Sequence, residues 1–306
     1  QADVIRADHI DILFELKGFT LDTRLATFAY RPAPIQVAWL GYPGSCGAPF
    51  IDYIIGDPVV TPMGAQHFYT EHIAQMPVTY QPNDTSRHRD ATRTRAECGL
   101  PDNALVFGSF NQSYKVTRDV FDSWCRILKR VPNSILWLLI PEQATQDVLR
   151  QEAQRRGVDP SRLYFAKFEK TDKHRQRLGL ADIALDTYPC GGHTTTSDTL
   201  WAGVPVVSLM GDTFASRVAG SLLNAVHLGD LACSSWQQYE DMAVGLALDS
   251  SRLQQVRQGL LDCRDTAPLF DSTRFAKDLG ELMLRMVDRS DRGLEPAPLP
   301  TLEGQA

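Results

Sequence analysis

Residues 191–198, which read GGHTTTSD, combine backbone and side-chain groups that suit the binding of a phosphate. The preceding residues 181–186 form a short apolar run closed by an acid, which predicts a buried parallel strand. Gly191 and Gly192 permit a tight turn, and Thr194 and Thr195 then stand where a helix begins, so that hydroxyls and N–H groups point the same way. Such a helix start attracts anions, although an ordinary N-capped helix explains the pattern equally well.

Other polar residues follow predicted strands and could complete a nucleotide site. Lys115 can neutralise a diphosphate while Gln112 donates a hydrogen bond to it, and Asp198 can accept hydrogen bonds from sugar hydroxyls. His174 and Arg177 lie three residues apart on one helical face, where an imidazole can stack on a base and a guanidinium can bond a base carbonyl. Taken singly, the lysine is better explained as a solvated helix start, and the His–Arg pair as a basic surface turn.

A second glycine-rich turn, residues 40–47, follows an apolar run in the first part of the chain. Backbone amides at Gly44 and Ser45 could contact phosphates or a transferred group, and a purely structural turn is the alternative. No pair of acids has the spacing DxD, so a metal-bridged diphosphate is not indicated and no metal ligand is predicted. The motifs GxGxxG, GxxxxGK[ST] and GxSxG are absent too, which argues against dinucleotide, P-loop and hydrolase sites.

Composition restricts the class of protein. The 306 residues are 43% hydrophobic and 22% charged, as in globular proteins, and they suffice for two domains. A net charge of −6 argues against a general nucleic-acid partner, and no apolar run approaches the ~20 residues of a membrane span. The six cysteines are scattered without a CxxC pair, and no signal peptide is visible. Neither a zinc site nor a disulfide framework is expected, and the predicted compartment is the cytoplasm.

Apolar runs alternate with amphipathic segments, which predicts an α/β fold with a doubly wound parallel sheet. Four strand candidates lie in the first part of the chain, at residues 10–16, 35–40, 51–55 and 73–76. Strands are predicted in the second part at residues 104–110, 134–140, 163–165, 183–186 and 204–209. Helices are predicted at 117–130, 142–156, 171–178 and 194–202, and further helices at 215–224, 236–248, 251–263 and 273–287 should cover the same sheet.

These elements indicate four regions. Residues 1–80 form a small α/β unit that begins at the approach to a strand, so we expect a partial N-terminal lobe. Residues 81–97 are polar, rich in arginine and without apolar periodicity, which predicts a linker. Residues 98–288 form the larger C-terminal lobe, and residues 289–306, with few apolar side chains, should be disordered or docked as an extended strap.

Six segments of the chain carry longer motifs. These are residues 31–44 (RPAPIQVAWLGYPG), 111–115 (NQSYK), 130–139 (RVPNSILWLL), 192–195 (GHTT), 200–205 (LWAGVP) and 215–219 (ASRVA). Together they resemble the catalytic region of O-linked N-acetylglucosamine transferases, the bacterial ones most of all. The likeness spans about residues 2–285 and keeps the motifs in the same order.

The resemblance implies a GT-B glycosyltransferase with two Rossmann-like lobes, the first incomplete in this chain. It implies an inverting, metal-independent enzyme that needs no cofactor and takes UDP-GlcNAc as donor and Ser/Thr hydroxyls of proteins or peptides as acceptors. By position, the resemblance gives the binding roles to Gln112, Lys115, His174, Arg177, His193, Thr194, Thr195 and Asp198. Lys115 and His193 would be catalytic: the lysine would stabilise the charge of the departing UDP, and the histidine would sit near the phosphates and the sugar.

This chain also departs from the resemblance. The family usually has Ala-Pro-Lys shortly before the position of His174, with the lysine on the ribose, whereas residues 169–171 here are Glu-Lys-Thr. Lys170 or Lys173 would therefore have to substitute. Family members also carry tetratricopeptide repeats and the first part of the N-terminal lobe, with a histidine discussed as a base, upstream of the matching region. We expect those segments to lie outside this chain. Within the chain itself, no residue is a convincing base for the acceptor hydroxyl.

Two other functions remain open from the sequence. A protein O-fucosyltransferase that uses GDP-fucose has a similar scaffold, although His174 and Arg177 favour a UDP donor. The second is a catalytically weak nucleotide-binding module whose upstream repeats recruit partners. Retention of Lys115, His193 and Asp198 argues against that module, although binding residues can outlast turnover.

Overall fold

The computed structural model describes residues 1–87 and 93–302, and it contains two compact units. The first unit comprises Gln1–Thr85, Thr213–Ala215 and Pro268–Ala306, and the second comprises Ser86–Asp212 and Ser216–Ala267. The predicted linker (81–97) and tail (289–306) both extend into residues outside those described, so their limits stay predictions.

The first unit contains a parallel sheet of four strands in the order β1-β2-β3-β4. The bounds in this part are α1 Ala2–Ala7, β1 Ile12–Glu15, α2 Leu25–Phe28, β2 Ile35–Ala38, β3 Tyr53–Gly56 and β4 His72–Gln75. Every residue of β2 and β3 is buried, which explains why these strands read as continuous apolar runs rather than as alternating patterns. The four predicted strands are confirmed, and none of their ends shifts by more than about two residues.

The second unit contains a parallel sheet of six strands in the order β7-β6-β5-β8-β9-β10. The strands are β5 Leu105–Ser109, β6 Ser134–Leu138, β7 Leu163–Phe165, β8 Ile183–Leu185, β9 Val206–Leu209 and β10 Ala232–Cys233. The chain builds outward from β5 on one side and from β8 on the other, as in doubly wound nucleotide-binding folds. The five strands predicted for this part are confirmed, whereas the two-residue β10 was not predicted because it is too short to leave a pattern.

Seven helices of the second part were predicted as helices, and each is present. Their bounds are α3 Arg118–Arg130, α4 Gln143–Arg155, α5 Thr171–Leu178, α6 Thr194–Trp201, α7 Phe214–Asn224, α8 Trp236–Leu248 and α9 Ser250–Asp262. In α3 the Thr117 side chain caps the N-terminus by accepting from the Val120 N–H, and Trp124 and Ile127 of the apolar face are completely buried. Burial of a side chain of this size contributes ~1.5–3 kcal/mol, so the amphipathic face is what fixes α3 on the sheet.

The last helix, α10 (Ser272–Asp291), belongs to the first unit. Its Phe275 stacks on Trp39, with ring centroids 6.1 Å apart and planes 14° from parallel, and its Leu282 and Met286 are buried. The expectation that residues 273–287 cover the second sheet is therefore wrong. Helical periodicity shows that a helix has an apolar face, but it does not show which sheet that face covers.

The segment after α10 is docked as an extended strap on the edge of the first sheet. Leu299 forms a parallel bridge with Ala74, donating its N–H to the Ile73 carbonyl at 2.8 Å and accepting the Gln75 N–H at 2.9 Å. The Arg285 guanidinium, from α10, donates to the Pro300 carbonyl at 2.9 Å. Of the two expectations for the tail, the docked strap is thus confirmed over the described residues, and the strap covers an otherwise open sheet edge.

Two broader expectations can be compared with this fold. All six cysteines are free thiols in this structure, and the absence of a disulfide framework stays a prediction. Within residues 1–87 and 93–302, none of the helices has the length and apolarity needed to cross a bilayer.

Candidate functional site

The predicted polar residues of the second unit gather at the carboxyl ends of β5 and β8, the two central strands. In a doubly wound sheet the chain leaves these strands in opposite directions, which opens a crevice where ligands bind. Asn111 follows β5 closely, and the turn at Gly191 and Gly192 follows β8. The strand order therefore brings together two segments that lie about 80 residues apart in the sequence.

A buried carboxylate holds the crevice in shape. Asp186 Oδ1 accepts hydrogen bonds from Asn111 Nδ2 at 2.9 Å and from the backbone N–H groups of Thr187 and Gly192 at 2.9 and 2.7 Å. Its Oδ2 accepts from Ser208 Oγ at 2.8 Å. Burial raises the pKa of Asp186, and these four neutral donors act against that rise. The carboxylate thus connects the ends of β5, β8 and β9 to the glycine turn.

Two glycines fit against that carboxylate because they lack a side chain. A Cβ on Gly191 would lie 2.7 Å from Asp186 Oδ2, and a Cβ on Gly192 would lie 2.5 Å from Thr196 Oγ1 and 3.0 Å from Asn111 Oδ1. All three distances are shorter than van der Waals contact, so a larger residue would displace the turn. The turn is therefore specified by packing as well as by backbone freedom.

Lys115 places a cation beside this turn. The residue ends a short 3-10 turn, Ser113–Lys115, and its Nζ donates to the Gly191 carbonyl at 2.8 Å while the side chain stays partly exposed. Gln112 is exposed immediately before it. We name Gln112, Lys115, Asp186 and residues 191–195 the glycine turn, after the two glycines that Lys115 and Asp186 contact.

The helix that follows supplies further polar groups. His193 is the N-cap residue of α6 and is partly exposed, Thr194 is exposed and Thr195 is half-buried. Thr196, by contrast, is buried and donates its hydroxyl to the Gly192 carbonyl at 2.9 Å, so it shapes the turn. The first N–H groups of a helix have no partner within the helix, so the start of α6 together with the Lys115 ammonium favours a bound anion.

His174 and Arg177 are together, as predicted, but in direct contact with each other. Arg177 donates to His174 Nδ1 from Nε at 3.2 Å and from Nη2 at 2.9 Å, and the His174 ring packs edge-on against Phe110 with centroids 5.5 Å apart. Burial, followed by the charge of Arg177, lowers the pKa of His174 to about 4. The imidazole is therefore neutral at pH 7, and a neutral ring can stack on a base.

Asp198 is buried and lies between two arginines. Its Oδ1 accepts from Arg87 Nη1, and Arg175 Nε lies 3.3 Å from its Oδ2. Arg87 is 7% exposed and its guanidinium also covers the indole of Trp201, 5.1 Å from the ring centroid. The sequence assigned Asp198 to a sugar without any protein partner. The structure adds a cation on each side of this carboxylate.

A second carboxylate, Glu169, lies close by in the same unit. Arg93 Nη1 donates to its two oxygens at 2.8 and 2.7 Å, and Arg177 Nη1 lies 3.1 Å from Oε2. Lys170 and Lys173, which were expected to substitute for the family lysine, are both exposed. We name Glu169 and Asp198 with their four arginines the arginine cluster, whose cations are Arg87, Arg93, Arg175 and Arg177.

Gly44 and Ser45 belong to the first unit. Ser45 Oγ donates to Glu71 at 2.6 Å and itself accepts the Gly47 N–H at 2.9 Å, and the Cys46 N–H also donates to Glu71 at 2.6 Å. Glu71 is fully buried, so the Ser45 hydroxyl helps to build its own turn. This geometry agrees with the structural alternative for residues 40–47, and a role of the backbone amides toward a ligand stays a prediction.

Sequence reasoning missed the residues that support the site. The sequence assigned no role of their own to Asn111, within the NQSYK segment, or to Ser208, within a predicted strand, and Asp186 read only as the acid that closes a strand. Arg87 and Arg93 lie in the segment interpreted as a linker, although every arginine of residues 81–97 that the structure describes is paired with a carboxylate of the second unit. A strand-closing acid followed by two glycines was the available signal for Asp186.

Among the residues described, no three His, Cys, Asp or Glu side chains are grouped so that they could hold a metal ion. Metal independence stays a prediction. The groups that the glycine turn leaves accessible include the Lys115 ammonium and the Thr194 and Thr195 hydroxyls, whereas the Asp186 carboxylate is buried. Such groups suit an anion rather than a cation.

Comparison with known proteins identifies relatives along the whole chain. The profile of "Glycosyl transferase family 41" matches residues 1–91 and 82–279. The Arabidopsis thaliana protein named "Probable UDP-N-acetylglucosamine--peptide N-acetylglucosaminyltransferase SEC" is 40% identical over 309 residues, which cover 99% of this chain and 32% of the relative. The Caenorhabditis elegans UDP-N-acetylglucosamine--peptide N-acetylglucosaminyltransferase is 30% identical over 405 residues, covering 96% of this chain and 35% of the relative. The chain thus spans about a third of the length of these two relatives.

Solved structures agree on the fold. A mutant of the Thermobaculum terrenum O-GlcNAc transferase superposes with a TM-score of 0.84 at 31% identity, covering 93% of this chain and 54% of that one. Anabaena Alr3699/HepE in complex with UDP superposes with a TM-score of 0.62 at 14% identity, covering 93% and 81%, which shows a shared fold. The predicted GT-B fold class is confirmed. The profile match and the 40% identity make this chain a member of glycosyl transferase family 41.

Proposed function

We propose that this chain is the catalytic region of an inverting, metal-independent transferase that moves N-acetylglucosamine from UDP-GlcNAc to Ser/Thr hydroxyls of proteins. The observation that carries the proposal is the glycine turn, where the Lys115 ammonium lies on the Gly191 carbonyl beside the start of α6. A diphosphate carries the charge that this arrangement favours. The names of the Arabidopsis and nematode relatives support the choice of donor and of a peptide acceptor.

The transfer step follows from where negative charge develops. The acceptor oxygen forms a bond to the anomeric carbon as the bond from that carbon to the β-phosphate oxygen breaks, and UDP leaves with the electron pair. Lys115 and the start of α6 would stabilise that charge, with Thr194 and Thr195 contributing hydroxyl donors. His193 would lie near the phosphates and the sugar. The proton of the acceptor hydroxyl goes to the donor phosphate or to a residue outside this chain.

The remaining site residues would recognise the nucleoside. The neutral ring of His174 would stack on uracil, and Asp198, held by Arg87 and Arg175, would accept from the ribose hydroxyls. The proposal includes a cytoplasmic enzyme with tetratricopeptide repeats and the rest of the first lobe upstream. Those segments would help to select protein acceptors.

The experiment is a transfer assay on the full protein, with labelled UDP-GlcNAc, a Ser/Thr acceptor peptide and EDTA. Lys115→Ala should lower kcat about 100-fold or more, because it removes a donor to the developing charge. Lys129→Ala is the matched control, since Lys129 is an exposed lysine at the end of α3. The peptide product should carry the β-anomer, read by NMR.

Two results would contradict this function. Full activity of Lys115→Ala would remove the proposed role of the lysine, and absence of transfer by the wild type with any acceptor would leave only a nucleotide-binding module. Transfer of fucose from GDP-fucose in the same assay would identify the alternative enzyme.

A further inference from the structure

The Arg177 guanidinium is engaged by two side chains of the protein and is not available for direct contact with a base. Its Nη1 faces Glu169 Oε2 at 3.1 Å, while its Nε and Nη2 both donate to His174 Nδ1. Its side chain is 4% exposed. All three guanidinium nitrogens are thus engaged inside the protein, and a base carbonyl could be bonded only if the group left both partners.

Glu169 holds this guanidinium in place. Its carboxylate accepts twice from Arg93 and faces Arg177, so it bridges two cations. Although burial acts to raise the pKa of Glu169, the hydrogen bond from Arg93 and the charges of Arg177 and Arg93 hold it below its usual value. The carboxylate is therefore ionised at pH 7 and keeps Arg177 fixed.

The consequence falls on the imidazole ring. An arginine does not lose its proton in a protein, so a nitrogen that accepts from Arg177 cannot also carry a proton. His174 Nδ1 is that acceptor, which leaves the proton of the neutral ring on Nε2. The edge contact with Phe110 fixes the plane of the same ring.

We infer that Arg93, Glu169 and Arg177 form a positioning relay, in which Arg177 acts on the nucleoside through His174 rather than by touching the base. The relay sets the His174 ring as the neutral Nε2–H tautomer in one plane, ready to stack on a pyrimidine. This inference deepens the proposed function and rests on it. Glu169 is then a positioning residue, which acts on the nucleoside through Arg177 and His174.

The test is a double-mutant cycle read by calorimetric titration with UDP. Glu169→Gln should weaken UDP binding about tenfold, since it removes a hydrogen-bonded charge, and His174→Ala should weaken it by a similar factor. Glu169→Gln in the His174→Ala background should cause no further loss, because its effect passes through the ring. Affinity for inorganic pyrophosphate, which has no base, should not change in Glu169→Gln.

A matched control variant and an NMR measurement show whether the effect is specific to Glu169. Glu152→Gln removes a carboxylate of α4 that also bridges two arginines, Arg155 and Arg156, and UDP affinity should be unaffected. Nitrogen-15 NMR of the nucleotide-free protein should show the His174 ring with its proton on Nε2 in the wild type and a mixture of tautomers in Glu169→Gln.

Additive losses in the double mutant, or a wild-type ring protonated on Nδ1, would overturn the relay. If the wild type binds no UDP, the proposed function fails, while the NMR result still decides whether the relay sets the tautomer. UDP binding that ignores Glu169→Gln would overturn the relay and leave the function standing.

Discussion

The glycine turn and the arginine cluster occupy the same unit but are held by different forces. Neutral donors converge on Asp186 in the glycine turn, and two glycines fit where no side chain can. The arginine cluster is held by charge, with Glu169 and Asp198 each between two arginines. Hydrogen bonds to a buried group give a rigid backbone, whereas ion pairs orient side chains and respond to salt and pH. Binding of a diphosphate needs a rigid backbone, and recognition of a nucleoside can use side chains that ion pairs orient.

The largest expected effect comes from removing the centre of the glycine turn. Asp186→Ala leaves four donors without their acceptor in a buried site, and each such donor costs about 1–3 kcal/mol, so we expect the free energy of unfolding to fall by roughly 4 kcal/mol. Asp186→Asn keeps one oxygen and should lose far less. Denaturant unfolding measures both, and equal losses would show that the carboxylate oxygens are not what holds the turn.

Asp186 also predicts a pH dependence. Burial raises the pKa of this carboxyl above the ordinary 3.8, so the stability linked to its protonation is complete below that value and is lost as pH rises through the folded pKa. The difference in unfolding free energy between the wild type and Asp186→Asn should therefore decline as pH rises from about 4. A difference that grows with pH would contradict a raised pKa.

In the arginine cluster, the largest effect should come from Arg87. Arg87→Ala leaves the buried Asp198 with Arg175 alone, and breaking a buried ion pair costs about 3 kcal/mol. The control is Arg6→Ala, which breaks an exposed pair with Asp3 and should cost about 0–1 kcal/mol. Thermal unfolding at low and high salt compares them. Equal shifts would mean that Arg87 is not buried against Asp198 in solution.

His174 makes the stability of the arginine cluster depend on pH in a range of its own. Its pKa falls from 6.5 to about 4 on folding, so its contribution to stability is complete above pH 6.5 and is lost as pH falls toward 4. The charged groups around the ring are Arg177 and Arg175 on α5, Glu169 before it and Asp198 on α6. The wild type should lose roughly 2 kcal/mol more than His174→Gln between pH 7 and pH 4.5. Parallel curves for the two proteins would contradict a neutral ring.

The smallest expected difference in stability is that between alanine substitutions at two glycines, Gly192 and Gly44. Gly192→Ala places a Cβ 2.5 Å from Thr196 Oγ1, and overpacking of this kind costs about 1–3 kcal/mol. Gly44→Ala places a Cβ 3.4 Å from the Tyr42 ring, an ordinary contact, so its effect on stability should stay within about 0.5 kcal/mol. Unfolding of both variants checks the pair, and a larger loss at Gly44 would assign that turn a packing role as well.

The sequence predicted every described sheet strand except the two-residue β10, together with the turn at Gly191 and Gly192, because each depends on local patterns. Apolar runs mark buried strands, and the order Gly-Gly-His-Thr-Thr marks a turn and a helix start. The arginine cluster could not be predicted in the same way, because Arg93 and Glu169 lie 76 residues apart and Arg87 and Asp198 lie 111 apart. A polar segment without periodicity reads as a linker whether or not its side chains are paired. The packing of α10 in the first unit was missed for a similar reason, because the apolar face of a helix does not indicate which sheet it covers.

The most direct measurement is a calorimetric titration of the full protein with UDP and then GDP, each with and without EDTA. The account predicts UDP binding that ignores EDTA, exceeds GDP binding and weakens in Lys115→Ala. Preference for GDP, loss of UDP binding on adding EDTA, or binding of neither nucleotide would contradict the donor site described here.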